Sequence, residues 1–166
     1  MSIEPTRILA ALAGCMLTVV LTVLIGMASA QELRTALQVS PEGGGRCIDV
    51  PDREFVQNKG LQMRDCNNSS GQLFTLDQGN TRLMIGGLCV DANGGQPGDL
   101  VKLASCDRSA NQVWKVEQKG NFAKLVGASG LCLDIRYGST ESGAPLQSWT
   151  CEDTAPNQLW SFQRKQ

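Results

Sequence analysis

A three-residue pattern returns at a nearly fixed interval along this chain, and regular repetition restricts the possible folds more than any other feature of a sequence. Cys47-Ile48-Asp49, Cys89-Val90-Asp91 and Cys132-Leu133-Asp134 open three segments spaced 42 and 43 residues apart. A second cysteine follows each after 19, 17 and 19 positions, as Cys66, Cys106 and Cys151. Beyond each of those stands a Gln-x-aromatic triplet: Gln72-Leu73-Phe74, Gln112-Val113-Trp114 and Gln158-Leu159-Trp160. Three coincident markers in three copies indicate one structural unit used three times, over about 43–85, 86–128 and 129–166.

Inside each unit the apolar period is two, not 3.6. Three and five residues before the second cysteine stand Met63 and Leu61, Leu103 and Val101, Ser148 and Leu146. The intervening positions hold Arg64 and Gln62, Ala104 and Lys102, Trp149 and Gln147. One face is mostly apolar and the other mostly polar, as in a half-buried strand. Parity therefore sends Trp149 outward, although Ser148 in an inward slot suggests a local bulge that could turn the ring into the core. Leu73–Leu76, Leu83–Ile85, Val113–Val116 and Phe122–Val126 also alternate, separated by turn sequences such as Asp77-Gln78-Gly79-Asn80 and Lys119-Gly120-Asn121. No window of a dozen residues carries a helical apolar stripe, so the expected class is all-β. The third unit ends one strand short at Trp160-Ser161-Phe162, and Thr35–Val39 ahead of the first unit supplies the spare. A closed barrel would seat that strand beside the C-terminal one and remove a bare edge.

The first thirty residues stand apart from this pattern. Ile8–Met27 is an uncharged run of 20 residues, followed by Ala28-Ser29-Ala30. A short polar start, an apolar run and an Ala-x-Ala site describe a secretory signal peptide, with cleavage expected after Ala30 and residues 31–166 forming the domain. An uncleaved anchor through residues 8–27 is the alternative, since such a run is long enough to span a bilayer. Leu12-Ala13-Gly14-Cys15 also resembles a lipoprotein cleavage box, placed early in the apolar run. All three place the rest of the chain outside the cytoplasm, secreted or in a periplasmic or extracellular space. Residues 31–166 then keep six of the seven cysteines, the even count expected of a disulfide framework. Six cysteines allow fifteen pairings; the repeat symmetry favours Cys47–Cys66, Cys89–Cys106 and Cys132–Cys151. Each would close a loop contributing about 3 kcal/mol in the chain-entropy model.

Charge and composition narrow the function. A net charge of −1 provides no basic field for nucleic acid or for membrane lipid. Histidine is absent, which removes serine–histidine triads, cysteine–histidine pairs and the usual histidine-bearing zinc sites. The cysteines lack C-x-x-C spacing, and no cofactor or catalytic site is expected. Asp91-Ala92-Asn93-Gly94-Gly95 resembles the opening of a calcium loop but lacks the later ligands, so it is expected to be a turn. Asn67-Asn68-Ser69-Ser70 carries two overlapping glycosylation acceptors, meaningful only where the host glycosylates secreted chains.

With Cys-x-Asp, a second cysteine and Gln-x-Trp/Phe in three copies, the chain resembles the ricin B-type lectin family of β-trefoil domains over residues 35–166. The resemblance implies that the aromatic of each Gln-x-aromatic fills the core, with Phe74 replacing tryptophan in the first repeat. It also implies carbohydrate binding without catalysis, in shallow pockets, at most one per repeat. Such a pocket uses an aromatic face against the C–H face of a pyranose and fixed polar groups for its hydroxyls. By the family pattern these are the Asp of Cys-x-Asp, an aromatic two residues before the second Cys, and an Asn ahead of the Gln. The third repeat has every element in Asp134, Gln147, Trp149, Asn157 and Gln158. Trp149 is the expected stacking platform, Asp134 the hydroxyl acceptor, and Tyr137 in the following loop a candidate for the rim. Against a special role for Asp134, an aspartate at the same place in all three repeats can simply satisfy a turn.

The second repeat keeps Asp91, Asn111 and Gln112 as a weaker candidate site, with Ala104 in the platform position. The first keeps Asp49 and Gln62 but has Arg64 at the platform and Gly71 in the Asn position. The expected partner is a glycan of galactose or xylan type. The competing function is a protein-interaction trefoil with vestigial sugar sites, such as a toxin-type targeting subunit or an inhibitor. A third possibility is the non-catalytic remnant of a polysaccharide-degrading enzyme.

Overall fold

The computed structural model describes residues 36–77 and 82–165. The segment read as signal peptide or anchor, Thr35 of the spare strand and residues 78–80 of one expected turn lie outside these.

Wherever apolar and polar residues alternate, the chain is extended. Twelve strands appear among the described residues: β1 (Ala36–Pro41), β2 (Arg46–Asp49), β3 (Gln62–Asp65), β4 (Thr75–Asp77), β5 (Arg82–Ile85), β6 (Leu88–Asp91), β7 (Lys102–Ala104), β8 (Trp114–Lys119), β9 (Phe122–Gly127), β10 (Cys132–Ile135), β11 (Leu146–Trp149) and β12 (Trp160–Lys165). Between them lie five single-turn 3-10 segments, and no described helix is long and apolar enough to cross a membrane. The class is all-β, as expected.

Four strands form each of three lobes. In every lobe the second and third strands make a hairpin, with matched registers: Cys47 opposite Arg64, Cys89 opposite Ala104, and Cys132 opposite Trp149. The third hairpin keeps this register throughout, with Leu133 opposite Ser148, so the inward serine introduces no bulge. Ser148 is buried, and its hydroxyl donates to the Ala92 carbonyl at 3.5 Å. The remaining strands pair as β4–β5, β8–β9 and β1–β12. The last pair joins the two ends of the domain, from Ala36 opposite Lys165 to Pro41 opposite Trp160. The strand left over by the repeat count thus closes the barrel, as the sequence required.

Two structural devices impose the threefold form. Near the axis the Leu61 N–H donates to the Val101 carbonyl at 3.1 Å, Val101 to Leu146 at 3.0 Å, and Leu146 back to Leu61 at 3.1 Å. This closed ring of main-chain bonds ties the three hairpins to one another. Around it Met63, Leu103, Phe74, Trp114 and Trp160 are fully buried in one apolar cluster. The disulfides Cys47–Cys66, Cys89–Cys106 and Cys132–Cys151 each lie within one lobe, as expected.

The repeated motifs explain one another. Each Gln-x-aromatic glutamine ends a 3-10 turn (Ser70–Gln72, Ala110–Gln112, Pro156–Gln158) that delivers it, fully buried, beside the Asp of its own lobe. The side-chain amides of Gln72, Gln112 and Gln158 donate to Asp49, Asp91 and Asp134 at 3.2, 3.2 and 3.0 Å. Each also donates to a carbonyl near the second cysteine: Asp65 at 2.9 Å, Ser105 at 2.8 Å and Thr150 at 2.9 Å. The indole N–H groups of Trp114 and Trp160 donate to Val90 and Leu133, the middle residues of Cys-x-Asp, at 3.0 and 3.1 Å. Buried polar groups need such partners, so the two motifs recur together because they are hydrogen-bonded together.

Candidate functional site

The β10–β11 hairpin and the two loops beside it enclose a cavity of about 400 Å³ in the third lobe. Its walls include Asp134, Gln147, Trp149, Asn157 and Gln158, so all five residues singled out in this repeat meet there. Gln147 and Trp149 leave the same face of β11, roughly 7 Å apart at two strand rises. Asp134 lies opposite Gln147. The Trp149 ring is 39% exposed, whereas Asp134 is 1% exposed at the base. The outward direction expected from strand parity is therefore the one observed.

Three side-chain amides hold the carboxylate. Gln147 donates to one oxygen at 2.8 Å, while Asn157 and Gln158 donate to the other at 2.6 and 3.0 Å. Asn157 reaches the site because the turn Pro156–Gln158 places it one residue before the glutamine. An ionised carboxylate offers about four acceptor positions, which leaves room for one further donor. Gln158 has a different task. Both its N–H bonds are directed to protein acceptors, and its carbonyl oxygen accepts the Glu152 main-chain N–H at 2.9 Å. It orients Asp134, as Gln72 and Gln112 orient their aspartates. Burial holds the Asp134 carboxyl above the ordinary aspartate range; hydrogen bonds from Gln158 and Gln147 oppose this, and the nearby Glu152 carboxylate adds to it.

The wall also includes Tyr137, the candidate for the rim, and a glycine from the neighbouring repeat. Tyr137 stands 87% exposed at the rim, in a left-handed conformation with φ 60°. The Arg136 guanidinium lies 5.1 Å from its ring centre, within cation–π range. Gly98, a residue of the second repeat, also lines the cavity, and a side chain there would touch the Trp149 ring at 3.7 Å.

The other two lobes keep the Asp–Gln pair and change what surrounds it. In the second, Asp91 accepts the Asn93 main-chain N–H at 2.7 Å, so the calcium-like segment closes as an Asx turn. Lys102 stands opposite Asp91 and Ala104 opposite Cys89. Asn111 makes its contact to this loop through its main-chain carbonyl, which accepts from Ala92 at 2.9 Å. In the first, Gln62 donates to Asp49 at 3.0 Å, much as Gln147 does to Asp134, but Arg64 replaces the platform.

Residues 35–160 match the family model described as the ricin-type beta-trefoil lectin domain. The chain belongs to this family. Among curated relatives of this ricin-type lectin, beta-galactoside-specific lectin 3 of Viscum album is 45% identical over 42 residues, which are 25% of this chain and 7% of the relative. The chain therefore spans only a small part of that protein's length. Among solved structures, the designed threefold-symmetric protein ThreeFoil has a TM-score of 0.72 at 22% identity, covering 76% of this chain and 96% of its own. The C-half of an earthworm R-type lectin in complex with GalNAc has a TM-score of 0.66 at 18% identity, covering 79% and 99%. Both are similar to this ricin-type lectin in fold.

Proposed function

We propose that this domain is an exported sugar-binding module whose principal site is the third-lobe pocket, and that it binds without catalysis. The observation that carries the proposal is the exposed Trp149 indole standing over a cavity whose base is a carboxylate fixed by three amides. The indole offers an apolar plate for the C–H face of a pyranose, and Asp134 accepts from a ring hydroxyl through a charge-assisted bond. Asn157 and Gln147 keep the acceptor aimed, Gln158 fixes it from behind, and Tyr137 with Arg136 borders the entrance. The site is built before the ligand arrives, which lowers the ordering cost of binding.

A galactose-type sugar is the favoured ligand. The name of the Viscum album relative carries β-galactoside specificity, and the earthworm lectin holds GalNAc. A single shallow pocket gives millimolar to high-micromolar affinity, on the order of −4 to −6 kcal/mol. Biological avidity then comes from several domains or from a multivalent glycan. Three disulfides favour an oxidising compartment, in keeping with the export segment read from the sequence. The second lobe, with Asp91, Asn111 and Gln112 but no aromatic plate, is a weaker site.

The test is a calorimetric titration of galactose and N-acetylgalactosamine into the folded, oxidised domain and its Trp149→Ala variant. Loss of the plate should weaken binding by about 10- to 100-fold, the equivalent of roughly 1.5–3 kcal/mol of aromatic contact. Binding that survives the substitution would remove the third lobe as the site. Binding to no glycan by folded protein would favour the protein-interaction trefoil instead.

A further inference from the structure

We infer that the first lobe holds a second site, selective for a sugar that bears an anionic substituent, a carboxylate or a sulfate. The inference rests on a pocket of about 310 Å³ lined by Asp49, Asp52, Arg53, Arg64, Asn67 and Ser69. It occupies the place in the first lobe that the Trp149 pocket occupies in the third, yet its chemistry is reversed. Two guanidinium groups replace an indole and an amide.

The replacement is a compensated exchange rather than simple erosion. In the third lobe a glycine, Gly138, faces the large side chain of Asn157, and a methyl group added to that glycine would lie 3.9 Å from the Asn157 amide carbon. In the first lobe the large and small partners change places. Arg53 stands six residues after the first cysteine, where the third lobe has Gly138, and Gly71 stands where it has Asn157. The Arg53 stem crosses Gly71 so closely that an added Cβ would sit 3.1 Å from its Cγ. Arg53 also adopts φ 58°, the left-handed conformation that glycine takes more readily and that Gly138 shares at 60°. A long, charged side chain thus sits on a glycine-like backbone and fills the space that the missing asparagine would have used.

Both arginines are free to take a ligand. Among the described residues neither the Arg53 nor the Arg64 guanidinium has a hydrogen bond or an ion pair within the protein, and both residues are exposed. The carboxylates in the same wall do not neutralise them. Asp49 is buried, with its oxygens engaged by Gln62 and Gln72, and Asp52 makes no ion pair among the described residues. Asp49 repels a bare anion but accepts a hydroxyl. A ligand that satisfies the whole pocket therefore presents hydroxyls to Asp49 and its charged group to the guanidinium pair, whose planar donors suit carboxylate and sulfate oxygens. Galacturonic acid and galactose 6-sulfate meet this description; neutral galactose does not.

The experiment is an NMR titration of the isotope-labelled domain with galacturonic acid, galactose 6-sulfate, galactose and inorganic sulfate, each at low and raised salt. The acidic sugars should shift the amides of residues 49–53, 64 and 67–69, with at least fivefold tighter binding there than galactose and a clear loss at raised salt. Arg53→Gly with Arg64→Ala should abolish these shifts. Both residues are exposed and Arg53→Gly relieves the left-handed backbone, so the double variant is expected to fold. Trp149→Ala should leave the shifts intact, which separates this site from the third-lobe one. Acidic sugars that leave the first-lobe amides unmoved overturn the inference, as does binding that survives the double variant. Inorganic sulfate binding as tightly as the sugars also overturns it, because Asp49 would then contribute nothing.

Discussion

The first and third lobes share the same pair of glutamine bonds to their aspartates and differ in almost everything that faces solvent. Asp49 and Asp134 each accept from a strand glutamine and from the buried glutamine of the Gln-x-aromatic triplet. Above that common base stand Arg64 and Arg53 in one lobe, Trp149 and Asn157 in the other. The hydrogen-bonded interior is thus a common mount, and the two lobes differ in the few side chains it holds out. Repeated architecture lets one chain keep three copies of the Asp–Gln pair and vary the surroundings of each.

The strongest way to break this comparison is to graft one lobe's exterior onto the other. Arg64→Trp, Arg53→Gly and Gly71→Asn together should give the first lobe a neutral-sugar pocket, adding one galactose site to those of the wild type by calorimetry. An unchanged stoichiometry in a folded variant would mean that the mount alone is insufficient. The next test concerns the mount itself. Gln72→Ala and Gln158→Ala should each lower stability by about 2–4 kcal/mol, since each removes one donor from a buried carboxylate and leaves a main-chain N–H without its acceptor. Thermal unfolding would register the loss, and clearly unequal losses would show that the two lobes are not equivalent inside.

The smallest effect is one of pH. Asp134 is held above the ordinary value of about 3.9, so on acidification the folded protein takes up this proton before the unfolded chain does. The group therefore adds stability as the pH falls through its folded pKa and removes it as the pH rises. Binding runs the other way, because a protonated Asp134 is a poorer acceptor. Third-lobe affinity should fall several-fold on acidification, beginning at a pH above the usual aspartate range, while wild type gains stability relative to Asp134→Asn. Affinity that stays unchanged across the whole aspartate range would remove Asp134 from direct contact with the sugar.

Much of this was legible before any coordinates. Cysteine spacing, the period of two and the unpaired strand ahead of the first repeat point to three all-β repeats closed into a barrel, and the resemblance to the ricin B-type family makes that barrel a trefoil. Strand parity alone turns Trp149 outward. Three points were hidden. Gln158 reads as a sugar contact until its two donor bonds are seen directed into the protein. Gly98 enters the third pocket from the second repeat, a contact that treating each repeat separately cannot foresee. The exchange of Arg53 with Gly71 links two loops distant along the chain, although aligning Arg53 with Gly95 and Gly138 would have flagged it.

The pairing of the first strand with the last has a practical corollary. With Ala36 facing Lys165 across a ladder whose strands lie about 5 Å apart, a few residues suffice to splice the two ends. The chain can then be reopened at the tight Gly120-Asn121 bend between Lys119 and Phe122 without altering any pocket. Chain entering at Ala36 and chain leaving at Lys165 therefore join the barrel at adjacent points.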